Sequence, residues 1–168
     1  MDFDFSEEQR LLKSNARSFM EREIVPAAAE HDKRGPLPKD QARSFLKKLA
    51  PLGYIGGPIP ESNGGLGLDF LSYGVLLEEL CRAWASLGGV AMLHTGVARL
   101  ISSLGNDSQR TRLLPSLLTA DRIACIGVTE PEAGSNSASL ATTAATYGAD
   151  LVVNGAKTWI SNGSIADI

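Results

Sequence analysis

The chain has 168 residues, enough for one substantial core, and its composition, 43% apolar and 21% charged, is that of a globular rather than a disordered protein. The formal net charge is −3 and unevenly placed: residues 1–122 carry fifteen acids and fifteen bases, whereas 123–168 carry four acids against Lys157 alone. No basic patch suits a nucleic acid. Cys81 and Cys125 both lie in apolar runs, which reads as two buried inert thiols in a reducing compartment, and the acidic segment Met1 to Glu8 has neither a basic start nor a long apolar run. The expectation is a cytoplasmic protein without a membrane span.

Ser6 followed by Gln9 is a capping-box signature, and Leu12, Ala16, Phe19, Met20 and Ile24 then recur at helical spacing. This first helix is expected to weaken near Pro26, with His31 to Arg34 and Gly35-Pro36 as a solvated connection. A second helix spans about Pro38 to Leu52, with Ala42, Phe45, Leu46 and Leu49 inward and Gly53 as its stop. The Gly- and Pro-rich stretch from Tyr54 to Leu68 predicts an ordered helix-to-helix crossover; without a Gly-Lys-Ser/Thr sequence it is a poor phosphate loop. Asp69 caps a third helix bearing Leu71, Val75, Leu76, Leu80 and Trp84, and the adjacent Glu78 and Glu79 read as surface or helix-pairing charges.

The segment Leu87 to Leu104 predicts a buried helix in which the lone His94, with no second ligand at metal spacing, reads as a hydrogen-bonded core histidine. Asn106 and Gln109 form a further capping pair for a short helix ending near Thr119. Helices thus fill about 6–119 and strands begin near 123, which places a domain boundary at about Asp121.

The most informative stretch follows. An apolar run from Ile123 to Val128 stops at Thr129-Glu130-Pro131, as a buried strand ends in a loop. Pro131 and a left-handed Gly134 predict a turn whose N–H groups, over Ala133 to Asn136, form a nest for a phosphate. Leu151 to Val153 alternate, Asn154-Gly155 reads as a hairpin turn, and the return strand runs from Lys157 to Ser161. An indole at Trp159 beside the hydroxyls of Thr129 and Ser161 suits a flat heteroaromatic cofactor, with a stacking face and donors for its polar edge.

The sequences Thr129-Glu-Pro-Glu-Ala-Gly-Ser-Asn136 and Lys157-Thr-Trp-Ile-Ser-Asn162 resemble the acyl-CoA dehydrogenase flavoproteins, whose middle domain carries Thr-Glu-Pro-x-Ala-Gly-Ser-Asp and Lys-x-Trp-Ile-Thr/Ser-Asn. The flanking Ala166-Asp167 fits as well. Two departures stand out: Asn136 replaces an aspartate, removing a charge, and Ile126 stands where the family often has an aromatic ring.

The resemblance implies FAD, with Ile126, Val128 and Thr129 along the flavin ring and Thr129 bonded to its pyrimidine edge. Gly134 and Ser135 would lie at the pyrophosphate, Ser135 also meeting the substrate's pantetheine. Trp159 and Ile160 would pack by the ring system, and Ser161 would donate near the edge that receives hydride. The implied fold is α+β, an N-terminal all-α bundle (1–121) followed by the first strands of a β-barrel-like middle domain (122–168), incomplete, with the C-terminal helical domain absent.

The implied activity is α,β-dehydrogenation of an acyl-CoA in fatty acid metabolism, by a homotetramer that passes electrons to an electron-transfer flavoprotein or similar acceptor. The family's general base, a glutamate, is expected beyond Ile168, so no residue here is assigned a catalytic role. A shortened chain is therefore expected rather than a natural half-length protein, because a sheet left open at Ile168 needs a partner. Two alternatives are an oxidase or acyl-carrier-protein dehydrogenase of the same fold, and a non-catalytic helical binding module whose hairpin serves packing only.

Overall fold

A computed structural model describes residues 4–168. Helix α1 (Glu7–Phe19) starts at the expected capping box: Ser6 Oγ accepts the Gln9 N–H, and the Gln9 side chain accepts the Ser6 N–H, both at 3.1 Å. Pro26 does not end it. The chain widens into a π-helical turn (Met20–Ile24), where the Val25 N–H bonds to Met20 O, and then runs on as α2 (Val25–His31) with Pro26 in its first turn. The wider turn lets the helix absorb a residue with no N–H. A short 3₁₀ turn (Asp32–Arg34) leads to Gly35.

Helix α3 (Lys39–Leu49) buries Ala42, Phe45, Leu46 and Leu49, and stops at Gly53 in the left-handed conformation. The crossover over 54–68 is ordered, as expected, and much of it is inside: Tyr54, Ile55 and Ile59 are buried. A Cβ at Gly65 would fall 2.0 Å from Ile59 O, so the loop closes on itself only with glycine there. The capping carboxylate of Asp69 accepts the N–H groups of Leu71 and Ser72 at 2.9 Å and opens α4 (Phe70–Ala83).

Trp84 is an extended residue that breaks α4 from α5 (Ala85–Leu104), rather than a member of the third helix. His31 stacks on its indole at 6.2 Å and meets Phe45 edge-on at 6.0 Å, so His31 joins an aromatic cluster instead of standing in solvent. Helix α5 is long and apolar enough to cross a membrane by length and composition, yet it packs along α4 and α6 (Asp107–Leu118) with Leu87, Ala91, His94 and Ala98 fully buried, as a core helix. The second capping box, Asn106 with Gln109, is present as expected.

One cluster centred on Met20, Ile24, Leu46, Leu80 and Leu87 joins α1, α3, α4 and α5; a second, with Ile59, Val97, Leu117 and Ala124, ties the crossover, α5 and α6 to the segment beyond them. Between α1 and α4, Glu79 is fully buried and takes Arg17 (2.8 and 3.0 Å) and Arg82 (3.0 Å), the helix-pairing role expected of it. The thiol expectation fails: Cys81 is exposed and Cys125 half-buried, both free.

After α6 the strands differ from expectation. Residues 123–129 are extended but enter no sheet, because their backbone bonds reach two short patches only, residues 167–168 and Thr158. The one described hairpin pairs β1 (Thr143–Tyr147) with β2 (Asp150–Asn154), antiparallel, with Thr143 opposite Asn154 and Tyr147 opposite Asp150. Its turn is Gly148-Ala149, with Gly148 left-handed, not Asn154-Gly155. Gly155 instead ends β2 against the chain before β1, since a Cβ there would lie 2.2 Å from the Thr142 hydroxyl. Lys157 to Ser161 form an irregular turn in place of the expected strand.

Candidate functional site

The site grows from Gly127. A Cβ on it would press on Lys157 Cβ and Cγ at 3.3 Å and Ile160 Cδ1 at 3.4 Å, so the missing side chain lets residues 126–129 lie against 157–160. The Thr158 N–H donates to Thr129 O at 2.9 Å and fixes the alignment. Lys157 Nζ then donates to Val128 O (3.0 Å) and to Glu130 Oε1 (2.7 Å).

Glu130 organises the loop that follows. It is buried, its carboxylate accepts the N–H groups of Ala141 (2.6 Å) and Thr142 (2.9 Å), and its backbone exchanges two bonds with Ala133. The Lys157 ammonium, then the contacts with Thr142 and Ala141, hold its carboxyl down at about 2. A single side chain thus closes the loop 130–142 and anchors the lysine before Trp159.

Of the residues marked from sequence, the structure brings Ile126, Val128, Thr129, Ile160 and the Trp159 and Ser161 flanking it to one side-by-side pair of segments. Gly134 and Ser135 sit apart, exposed, in the loop that Glu130 closes. Trp159 is the most unusual: its φ is +57°, a costly geometry for a bulky L residue, and its indole is 88% exposed. Ile126 and Val128 are 40% and 43% exposed beside it in the chain pairing. The paired segments therefore carry bare apolar groups, Trp159, Ile126 and Val128, together with two hydroxyl residues, Thr129 and Ser161, side-chain types that suit one flat heteroaromatic ring. The turn over 133–136 is not built on a left-handed Gly134. Gly134 has an ordinary negative φ, the Ala133 N–H already donates to Glu130 O, and the Asn136 amide bonds to Ser139 Oγ.

Three residues join this region to the helices, and for two of them, Asp167 and Asn162, the sequence suggested no such tie. Asp167 accepts Lys39 Nζ (2.6 Å), Arg43 (3.4 Å) and the Ile123 N–H (2.8 Å), and Lys39 first, then that amide, lowers its carboxyl to about 2. His94 is a buried, bonded histidine, as expected, but its partners are distant: Nε2 lies 2.9 Å from Leu117 O and Nδ1 accepts the Ala124 N–H at 3.1 Å. Burial lowers its pKa. Asn162, left-handed at φ +64°, donates from Nδ2 to Val90 O (3.1 Å) and Ala124 O (3.2 Å). Its Oδ1 is buried without a partner, as is Trp84 Nε1, and both residues line a cavity of about 330 Å³ with Leu37, Ser86, Val90 and Ser164. The Asn162-Gly163 dipeptide was the one local hint, as a pair suited to left-handed backbone. The contacts of Glu130 and Asp167 span 11 to 128 residues of sequence and leave no local trace.

Comparison with known proteins places the chain in one family. The family model described as acyl-CoA dehydrogenase, N-terminal domain, matches residues 6–121, and that described as acyl-CoA dehydrogenase, middle domain, matches 125–168. The short-chain specific acyl-CoA dehydrogenase of Clostridium acetobutylicum is 36% identical over 99% of this chain and 43% of its own length. The benzylmalonyl-CoA dehydrogenase of Aromatoleum aromaticum is 39% identical over 99% of this chain and 44% of its own. The crystal structure of a glutaryl-CoA dehydrogenase from Mycobacterium smegmatis in complex with FADH2 superposes with a TM-score of 0.88 and 29% identity, over 97% of this chain and 41% of that one. The chain spans less than half the length of these relatives. With a family model covering 116 of its 168 residues, it belongs to the acyl-CoA dehydrogenase family.

Proposed function

We propose that the chain is the N-terminal portion of an FAD-dependent acyl-CoA dehydrogenase, with the helical domain over 1–121 and the start of the middle domain over 122–168. The observation that carries this is the bare Trp159 indole on a left-handed backbone, set beside the apolar 126–129 segment. A packing-only role leaves that geometry unexplained, and strain held at an exposed aromatic residue is characteristic of a ligand clamp. In this reading Ile126, Val128, Trp159 and Ile160 flank the ring system, Thr129 and Ser161 donate to its polar edge, and Gly134 and Ser135 approach the pyrophosphate. Bound FAD supplies the hydride acceptor for an acyl thioester.

The chain's own part is to orient and to keep water from the reacting carbon. Glu130 and Asp167 are not candidates for taking the α-proton: each has its oxygens engaged by lysine and amide donors and a carboxyl near 2, far below what a base working near neutrality needs. That proton goes to a carboxylate elsewhere in the complete protein. An acyl-CoA substrate, an electron-transfer flavoprotein or similar acceptor, a homotetramer, a cytoplasmic location and a place in fatty acid metabolism extend the same reading.

The non-catalytic alternative needs a hairpin that packs, and this one covers nothing: every residue of β1 and β2 is exposed. The deciding experiment is flavin absorbance of the complete protein and its bleaching by acyl-CoA thioesters under anaerobic conditions. A colourless protein that FAD does not reconstitute overturns the proposal. Oxygen consumption without an added acceptor would move it to an oxidase.

A further inference from the structure

Ala124 lies between two residues, Ile123 and Cys125, whose backbone groups bond to the chain at 167–168: Asp167 and Ile168 donate to Ile123 O at 2.7 and 3.2 Å, and Cys125 donates to Ile168 O at 2.9 Å. In extended chain, alternate residues point their N–H and C=O to opposite sides, so those of Ala124 face the other way, into α5. A helix offers no spare backbone partner along its side, and Ala124 is fully buried. Its two polar groups are met by side chains alone. The Ala124 N–H donates to His94 Nδ1 and its carbonyl accepts from Asn162 Nδ2.

The two side chains are themselves fixed to the helical part. His94 has its other nitrogen 2.9 Å from Leu117 O at the end of α6; since Nδ1 accepts, Nε2 carries the proton and donates. Asn162 Nδ2 spends its second hydrogen on Val90 O, one turn before His94 on α5. Ala124 is thus held between residues 90 and 94 of one helix and the turn directly after Ser161. It stands two residues before Ile126 and five before Thr129.

We propose that Asn162 and His94 are positioning residues for the redox reaction, a clamp on Ala124 that sets the flavin-facing segment 126–129 against Ser161 and against α5. The inference rests on the flavoenzyme reading above. It assigns a task to the asparagine that ends the Trp-Ile-Ser-Asn motif: the left-handed backbone at Asn162 aims the peptide after Ser161, and the amide locks that aim to the segment. Neither residue touches a reacting atom in this role.

The test uses the complete, FAD-loaded protein and stopped-flow flavin reduction at saturating acyl-CoA. Asn162→Asp keeps the shape and the tolerance for left-handed backbone but turns an acceptor toward two carbonyl oxygens, Val90 O and Ala124 O. The expected result is reduction slowed on the order of ten- to a hundredfold at pH 8, as misplacement by an ångström does. As pH falls toward 6 the introduced carboxyl, its pKa raised by burial, protonates and donates one of the two bonds, so part of the rate returns. His94, on the far side of Ala124, is the titratable group facing the same peptide, and its protonation removes the Nδ1 acceptor. The pH profile is therefore repeated in His94→Gln, which keeps an acceptor and a donor and has no such titration. An Asn162→Asp protein that holds FAD and is reduced at the wild-type rate across this pH range overturns the clamp. Should Asn162→Asp not fold, Asn162→Gly carries the test, because it frees the same backbone and removes the amide; an unchanged reduction rate there likewise overturns the proposal. A wild-type protein that carries no flavin overturns the flavoenzyme reading itself, and the clamp's role with it.

Discussion

The helical part and the segment from 126 to 161 satisfy their surfaces in opposite ways. In the helices, two clusters of apolar groups are buried, although Leu11, Phe70 and Leu104 stay exposed, and the termini are closed locally: Ser6 with Gln9, Asp69 with Leu71 and Ser72, Asn106 with Gln109. In the later segment Trp159, Tyr147, Leu151 and Val153 lie 88%, 78%, 70% and 64% exposed, while the buried side chains that hold it in place are polar: the Glu130 carboxylate within it and the Asn162 amide just after it. One region stabilises itself by burial. The other is held in shape by a few charge-assisted bonds and leaves its apolar surface for something else to cover.

The largest break in this contrast comes from truncating one leucine in each region. Leu80 is fully buried in the main cluster, so Leu80→Ala should cost about 2–5 kcal/mol in urea unfolding. Leu151→Ala, at 70% exposure, should stay within about 0.5 kcal/mol. Comparable losses would mean that the hairpin packs on the protein after all. The glycines follow with a smaller gap. Gly65→Ala forces a Cβ into the Ile59 carbonyl and should cost about 1–3 kcal/mol or more, whereas Gly134→Ala meets open space at an ordinary φ and should be within about 0.5 kcal/mol.

That last pair shows where the sequence was legible and where it was not. The capped helices could be read because Ser6, Asp69, Asn106 and the 3.6-residue spacing of core positions act within a few residues. Gly134 looked special because it lay in a motif, but its φ is set by how Glu130 closes the loop, a contact made with Ala141 and Thr142. The same holds for the hairpin. Asn154-Gly155 is the stronger local turn signal, yet pairing Thr143–Tyr147 with Asp150–Asn154 puts the turn at Gly148-Ala149 and uses Gly155 for close approach to Thr142. Pro26 misled in the opposite sense, since a π-turn lets the helix pass through it. The motifs of the candidate site were visible in sequence, while the holding roles of Glu130, Asp167 and Asn162, in or beside those motifs, act over distances that periodicity does not register.

Acid sharpens the comparison next. Glu130 and Asp167 have folded-state values of about 2, against about 4 for unfolded carboxyls. Because the folded values are depressed, their contribution is fully present above about pH 4 and is lost as pH falls from there toward 2. Glu130 lies inside the later segment and Asp167 ties that segment to α3, whereas the core clusters of the bundle are apolar, so the later segment should loosen first. Trp159 and Trp84 report on the two regions separately: with Trp159→Phe and Trp84→Phe as single-tryptophan proteins, the Trp159 signal should change at higher pH. Asp167→Asn keeps one acceptor for the Ile123 N–H and loses two partly exposed ion pairs, a cost of about 1 kcal/mol that should shrink as acid removes the same pairs from the wild type. Coincident transitions in both tryptophans would show that the two regions melt as one.

The smallest expected change in stability has the opposite sign. Trp159 holds φ at +57°, where an L residue is strained by roughly 1–2 kcal/mol, and its side chain returns little by burial. Glycine occupies that region freely but loses more backbone freedom on folding, by about 0.5–1 kcal/mol, so Trp159→Gly should stabilise the chain by no more than about 1 kcal/mol. Trp159→Ala keeps the strain and removes the indole, and should leave stability where it was. In the complete protein both variants should weaken FAD binding alike, because both lack the stacking face, even though one is the more stable. Equilibrium titration of the apoprotein with FAD, set beside urea unfolding of the same variants, separates the two effects. If Trp159→Gly instead destabilises by more than about 1 kcal/mol, the indole is packed in solution and the bare surface that carries the functional reading is not there.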